Sequence, residues 1–259
     1  MHPTIQLALR AVRSVDEHYE YVAERLDLAR VDNTLAELLN NCGWRVEQAI
    51  ERQLVRAHPD ASFQGRNIQL KGSGEMTWAV NPLLGYENLG RAYPAYGISV
   101  AIYLKEKLEH VIIFNPATEQ EFIASRGRGA TLNGRRIRVT SGWKADKATL
   151  AFPLPATKMR EQLLPVYSNL VANLAVKDLI TSSCTALDIC AIAAGQLDAG
   201  IFLGADEAEL APALLVLKEA GGLYGDLTGA PALDKEGRLL VTNPKAFRQL
   251  VGQLKPHLI

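Results

Sequence analysis

The sequence predicts a mixed fold, an α+β half followed by an α/β half, and three observations carry that reading. Near the start, apolar residues step by three or four, as on one face of an amphipathic helix. From about residue 62 to 131, short β-rich runs such as GISVAIYL and HVIIFNP alternate with turn residues. Beyond LNGRRIRVTSG, strand-like and helix-like segments take turns, the pattern of an α/β unit. The change of pattern sets a boundary near Gly142, so residues 1–141 and 142–259 form two halves of one compact unit.

Taken in order, Ile5, Leu9, Val12, Val15, Tyr19, Val22 and Leu26 predict a first amphipathic helix. Thr34 and Glu37 have capping-box spacing and predict the start of a second, running through Leu38, Cys42, Val46 and Ile50 to about Ala57. Gly43 sits in its middle, where glycine costs roughly 1 kcal/mol against alanine; close packing or a dispensed-with side chain accounts for it. A mainly antiparallel sheet follows. In the second half, strands are expected near 150–152, 177–181, 199–203 and at GLYGDL and RLLVTN, with helices near 158–174, 184–194 and 207–220. The last helix opens on Asn243 as N-cap with Pro244 at its first position, and turns Phe247, Leu250, Val251 and Leu254 inward. Thr185 and Asp188 fit another capping box, Gly221-Gly222 a helix end, and Asp226 with Thr228 a turn. The two arginines of ASRGRGATLNG fit a solvated hairpin face ahead of an anion site.

Composition removes several function classes. Lys plus Arg equals Asp plus Glu at 28 each, so no global field draws the chain to nucleic acid or anionic lipid. Arg10 and Arg13 interrupt the first apolar stretch, which suits neither a signal peptide nor a membrane span; a cytoplasmic protein is expected. The cysteines Cys42, Cys184 and Cys190 lack zinc-site spacing and read as buried small hydrophobes. The five histidines are far apart, without a paired metal motif.

One stretch has the outline of a reactive loop without its acids. In WAVNPLLGYENL, residues 78–89, a strand runs into Asn81-Pro82, Gly85 permits a sharp turn, and Glu87 follows. The order and spacing of MHPTIQLALRAVRS, EFIASRGRGATLNGRRIRV, TALDICAIAAGQLDAG and LLVLKEAGGLYGDLTG extend this nearly end to end. On these motifs the chain resembles the inositol monophosphatase family, and within it the bacterial SuhB branch. That resemblance implies a layered α-β-α-β-α sandwich, a homodimer, and hydrolysis of phosphate monoesters by carboxylate-held Mg²⁺, which offsets phosphoryl charge and activates water.

The family's metal positions, carried over residue by residue, depart from that chemistry. The Asp-Pro-x-Asp-Gly-Thr motif keeps Trp78, Pro82 and Gly85, but its aspartates align with Asn81 and Leu84. The phosphate-receiving threonines align with Tyr86 and Glu87. Two upstream glutamates align with Arg66 and Asn67, and a helical aspartate, registered by Glu47, with Gly43. In the second half a Trp-Asp pair aligns with Ala208 and Glu209, and a substrate-contacting glutamate with Phe202. One acid therefore remains among six, too few for a Mg²⁺ cluster. The expectation is a chain without catalytic or metal-binding residues and without a cofactor, acting through protein contacts. The SuhB branch points to partners in the Nus-factor machinery of ribosomal RNA transcription antitermination. Two alternatives stand beside it: a Mg²⁺ phosphatase with ligands relocated to Glu75, Glu87, Asp206 or Glu207 beside Glu209, and a metal-free anion or sugar-phosphate sensor using Arg66.

Overall fold

A computed structural model describes residues 2–258, and its contacts divide the chain into two units, one ending at Gly134 and one beginning at Arg135. This division falls shortly before the expected Gly142, because the regular strands of the first half end at the Asn133-Gly134 turn.

The first unit opens with three helices, α1 (Pro3–Arg13), α2 (Asp16–Val31) and α3 (Leu35–Ala57). The single opening helix expected from the apolar spacing is two. Ser14 ends α1 by turning its hydroxyl back to the Ala11 carbonyl, competition with the helix ladder that serine is prone to. The predicted inner face survives the break: Ile5, Leu9, Val12, Val15, Tyr19, Val22 and Leu26 are all buried. The Thr34–Glu37 capping box does not form. Thr34 has φ −104° and ψ 10°, outside the extended geometry an N-cap needs, and its N–H bonds the Ala29 carbonyl across a left-handed Asn33.

Strands β1 (Ser62–Gln64), β2 (Gln69–Leu70), β3 (Met76–Leu84), β4 (Gly97–Leu104), β5 (Lys107–Asn115), β6 (Gln120–Ser125) and β7 (Gly129–Leu132) follow, with a four-residue helix, α4 (Tyr86–Leu89), after β3. They lie in the order β2-β1-β3-β4-β5-β6-β7. All neighbours are antiparallel except β1 and β3. Helices α1 and α3 pack on this sheet, and one apolar cluster joins Leu9, Tyr19, Val46, Ile50, Trp78, Ile98 and Ile112.

The second unit starts with the two-residue strand β8 (Arg135–Arg136). Then β9 (Thr149–Ala151), α5 (Arg160–Asn173), β10 (Asp178–Ile180), α6 (Thr185–Ala193), β11 (Ala199–Phe202), α7 (Glu207–Glu219), β12 (Leu223–Gly225), β13 (Leu239–Thr242) and α8 (Pro244–Leu254) match the expected alternation. Its five-stranded sheet runs β10-β9-β11-β13-β12, parallel across β10, β9 and β11 and antiparallel at β13 and β12. Because successive strand residues face opposite sides, Leu150, Ile201 and Leu240 meet α5 and α8 in one cluster, whereas Gly200 faces Ile192 of α6. The unit is therefore helix, sheet, helix. Asn243 caps α8 as expected, its Oδ1 accepting from Lys245 and Ala246 N–H groups.

Candidate functional site

In the first unit, the loop of interest is a bulge at the end of β3. Pairing with β4 runs regularly to Asn81 opposite Ser99, then skips to Leu84 opposite Gly97. Pro82, which has no N–H to offer the ladder, and Leu83 occupy the extra length. Asn81 holds the bulge locally, its Oδ1 accepting the Leu83 N–H at 3.2 Å. Tyr19, fully buried and its phenol pushed well above the usual range by desolvation, donates to the Pro82 carbonyl. Leu83 and Leu84 are both buried. Gly85 then turns the chain at φ +67°, where a Cβ would lie 2.4 Å from the Ala95 carbonyl oxygen. Glycine is obligatory there.

The side chains beside this loop are engaged elsewhere or point to water. Tyr86 packs against the apolar cluster and its hydroxyl donates to the Ala36 carbonyl. Glu87 and Arg66 are exposed. Arg66 has no hydrogen bond or ion pair among the described residues. Asn67 donates from Nδ2 to Glu47 Oε2 at 2.9 Å, and the N–H groups of Asn67 and Ile68 reach Glu47 Oε1 at 2.8 and 2.6 Å. Gly43, one turn before Glu47 on α3, faces Pro82 and Leu83 with a notional Cβ 4.0 and 3.9 Å away. There is room for a side chain; close packing is not what requires this glycine.

In the second unit, Phe202 lies on the α6 face of the sheet, 2% exposed, its ring covering Gly200. It is a core residue. Glu209 is exposed in the first turn of α7. The proposed replacement ligands are dispersed or occupied. Asp206 caps α7, accepting from the Ala208 N–H at 2.8 Å, and Glu207 accepts from Tyr224 at 3.4 Å. Glu75 pairs with Lys105 at 3.4 Å and precedes the far end of β3, about 20 Å along the strand from Asn81 at the usual rise per residue.

These donors do not fit Mg²⁺. It needs several oxygens in octahedral array, including charged ones. Asn81 spends its oxygen on the bulge, Leu84 has none, Asn67 offers donors to Glu47, and Arg66 brings a positive charge. Among the described residues no three His, Cys, Asp or Glu side chains gather as a metal site.

Two carboxylates carry weight that the sequence pattern did not assign. Glu47, entirely buried, works as the clamp of the 65–68 turn, and a Cβ on Gly65 would collide with it at 2.0 Å. Its position on the inner face of α3, four residues after Gly43, was the available signal. Asp188 does not close a capping box. The N-cap is Cys184, which makes no side-chain cap bond, and Asp188 is buried with its carboxyl pushed up to about 6 by desolvation, against the lowering effect of Ser182 hydrogen bonds. The remaining local expectations fit: Gly221 is left-handed at φ +85°, and Asp226 Oδ1 accepts from Thr228 and Ala230. All three cysteines are free and buried.

Known proteins align with this arrangement over nearly its whole length. A family model described as "Inositol monophosphatase family" matches residues 3–257. The "Nus factor SuhB" of Pseudomonas aeruginosa is 34% identical, covering 100% of this chain and 98% of its own. That of Escherichia coli K12 is 26% identical with the same two coverages. The crystal structure of extragenic suppressor protein suhB from Bartonella henselae superposes with a TM-score of 0.82 at 22% identity, covering 98% of this chain and all of that one. The match in sequence, length and fold leaves no other placement: the chain belongs to the inositol monophosphatase family.

Proposed function

We propose that this chain is a member of its family that has given up metal-dependent phosphomonoesterase chemistry and works through protein contacts, as a Nus-type factor in the cytoplasm. The β3 bulge carries this reading. Where metal-ligating acids would stand, Asn81 braces its own turn and Leu84 is buried apolar surface, so the loop is complete without an ion. The names of the relatives that align over nearly their whole length support the transcription role. A homodimer is part of the proposal. In the second unit, Leu179 and Ile180 are exposed on β10, an edge strand of the sheet that a second copy would cover.

The test combines calorimetric titration of the purified protein with Mg²⁺ and Mn²⁺, phosphate release from inositol 1-phosphate, and light-scattering mass. The expected results are no saturable metal binding, no turnover and a dimer mass, together with binding to purified Nus factors or RNA polymerase from the native cell. Metal binding with turnover abolished by Glu209→Ala would overturn the loss of chemistry. No affinity for any of those purified proteins would overturn the Nus-type role, and a monomer mass the dimer.

A further inference from the structure

We propose that a cavity of about 660 Å³ in the second unit binds a nucleotide, either free or as one unit of an RNA strand. Its lining includes Trp143, Lys144, Lys147, Asp198 and Lys245, with Thr140 beside them. The three ammonium groups are exposed and unpaired: among the described residues none makes an ion pair or hydrogen bond through its side chain. Three cations around one concavity repel one another, and a phosphate relieves that repulsion through charge-assisted hydrogen bonds.

The walls are held in place before any ligand arrives. Asn243, 2% exposed, sends its two Nδ2 hydrogens to Thr140 Oγ1 at 3.2 Å and to the Gly142 carbonyl at 3.0 Å. Its Oδ1 accepts from the Lys245 and Ala246 N–H groups at 3.0 Å each. One side chain thus ties the 140–142 segment to the start of α8 with its full bonding capacity used. Those helix N–H groups are therefore already occupied. The donors left for a ligand include the lysines and the Thr140 hydroxyl, whose own hydrogen remains available while its oxygen accepts from Asn243.

Two residues select a nucleotide over a bare anion. Trp143 is partly buried against the unit's core and lines the cavity, a fixed aromatic surface on which a base stacks. Asp198 uses Oδ2 to accept the Thr149 N–H at 3.0 Å, leaving Oδ1 without a hydrogen-bond partner among the described residues. A carboxylate oxygen repels inorganic phosphate but accepts from a ribose hydroxyl. The set thus matches phosphate, sugar and base, in an overall neutral protein whose total charge would not attract nucleic acid.

The experiment is calorimetric titration of the full chain at low salt with adenosine 5′-monophosphate, a short oligoadenylate RNA and inorganic phosphate. Saturable binding of one or both adenine probes is expected, weakening as salt rises and at least about tenfold tighter than inorganic phosphate. Lys144→Ala/Lys147→Ala/Lys245→Ala should weaken it about tenfold or more, while the corresponding triple arginine variant keeps it. Binding of the oligomer alone assigns the site to an RNA strand; equal or tighter binding of the monophosphate assigns it to a free nucleotide. Absence of binding by both adenine probes, salt-independent affinity, or an unchanged constant in the triple alanine variant overturns the proposal. Because the salt series uses the unmodified protein, poor folding of a variant does not protect the idea.

Discussion

Asp188 sits almost wholly out of water in the first turn of α6, and its Oδ2 has no hydrogen-bond partner. Burial raises its carboxyl from the ordinary 3.8 to about 6, with Ser182 offsetting part of the cost of charge. Between those two values the folded protein holds a proton that the unfolded chain releases. Stability from this group is therefore fully present below about pH 4 and is lost as pH rises through 6. A separation of about two pH units corresponds to an effect on the order of 3 kcal/mol. Asp188→Asn cannot titrate, so its stability relative to the unmodified protein should climb by about 2–3 kcal/mol between pH 4 and pH 7.5, whatever constant offset the amide introduces. Urea unfolding midpoints across that range measure it. Parallel curves for the two proteins would show that the carboxyl titrates in the folded state much as it does in the unfolded one.

Helix α3 and the β3–α4 turn each contain a glycine at the candidate site, and the elements give them opposite meanings. Gly43 lies mid-helix in a conformation any residue adopts, with Leu83 and Pro82 at ordinary contact distance from a new methyl. Gly43→Ala should stabilise by about 0.5–1 kcal/mol, since alanine costs less backbone entropy. Gly85 at φ +67° has the Ala95 carbonyl against the space a Cβ would take. Gly85→Ala should destabilise by about 1–3 kcal/mol or more. Thermal unfolding of the two variants decides; loss of stability in the first would mean that Gly43 is needed for packing after all. The same elements mark what was legible beforehand. Period and punctuation located the long helices, the strands β4 and β5 and the alternation of the second unit, because a buried face repeats along the chain whatever lies opposite; the short β1, β2, β8 and α4 carry too few residues to show a period. They did not reveal the break at Ser14 or the failed caps at Thr34 and Thr185, which depend on where one hydroxyl turns.

Across the whole molecule, each unit has its own buried core, and the expected places of lost acids in the first are filled by interactions needing no ion. The spacing of the family motif assigned these positions in the sequence. It did not show their present use: that Asn67 answers to Glu47, twenty residues earlier, is a contact between a helix and a turn that no local pattern encodes. From this arrangement we predict a stability independent of metal. A ligand stabilises only by binding the folded state, by about 3 kcal/mol at a hundredfold excess over Kd. With no carboxylate cage, millimolar Mg²⁺ and a chelator should give the same unfolding temperature. Asn81→Asp/Leu84→Asp supplies the contrast. It places a carboxylate where Leu84 is 8% exposed, which should cost several kcal/mol in chelator, and Mg²⁺ should restore part of that loss by neutralising the pair. Differential scanning calorimetry of both proteins in both buffers reads the result. A Mg²⁺-dependent rise in the unmodified protein would mean that its folded state holds the ion through other oxygens, and the loss of metal chemistry would no longer stand.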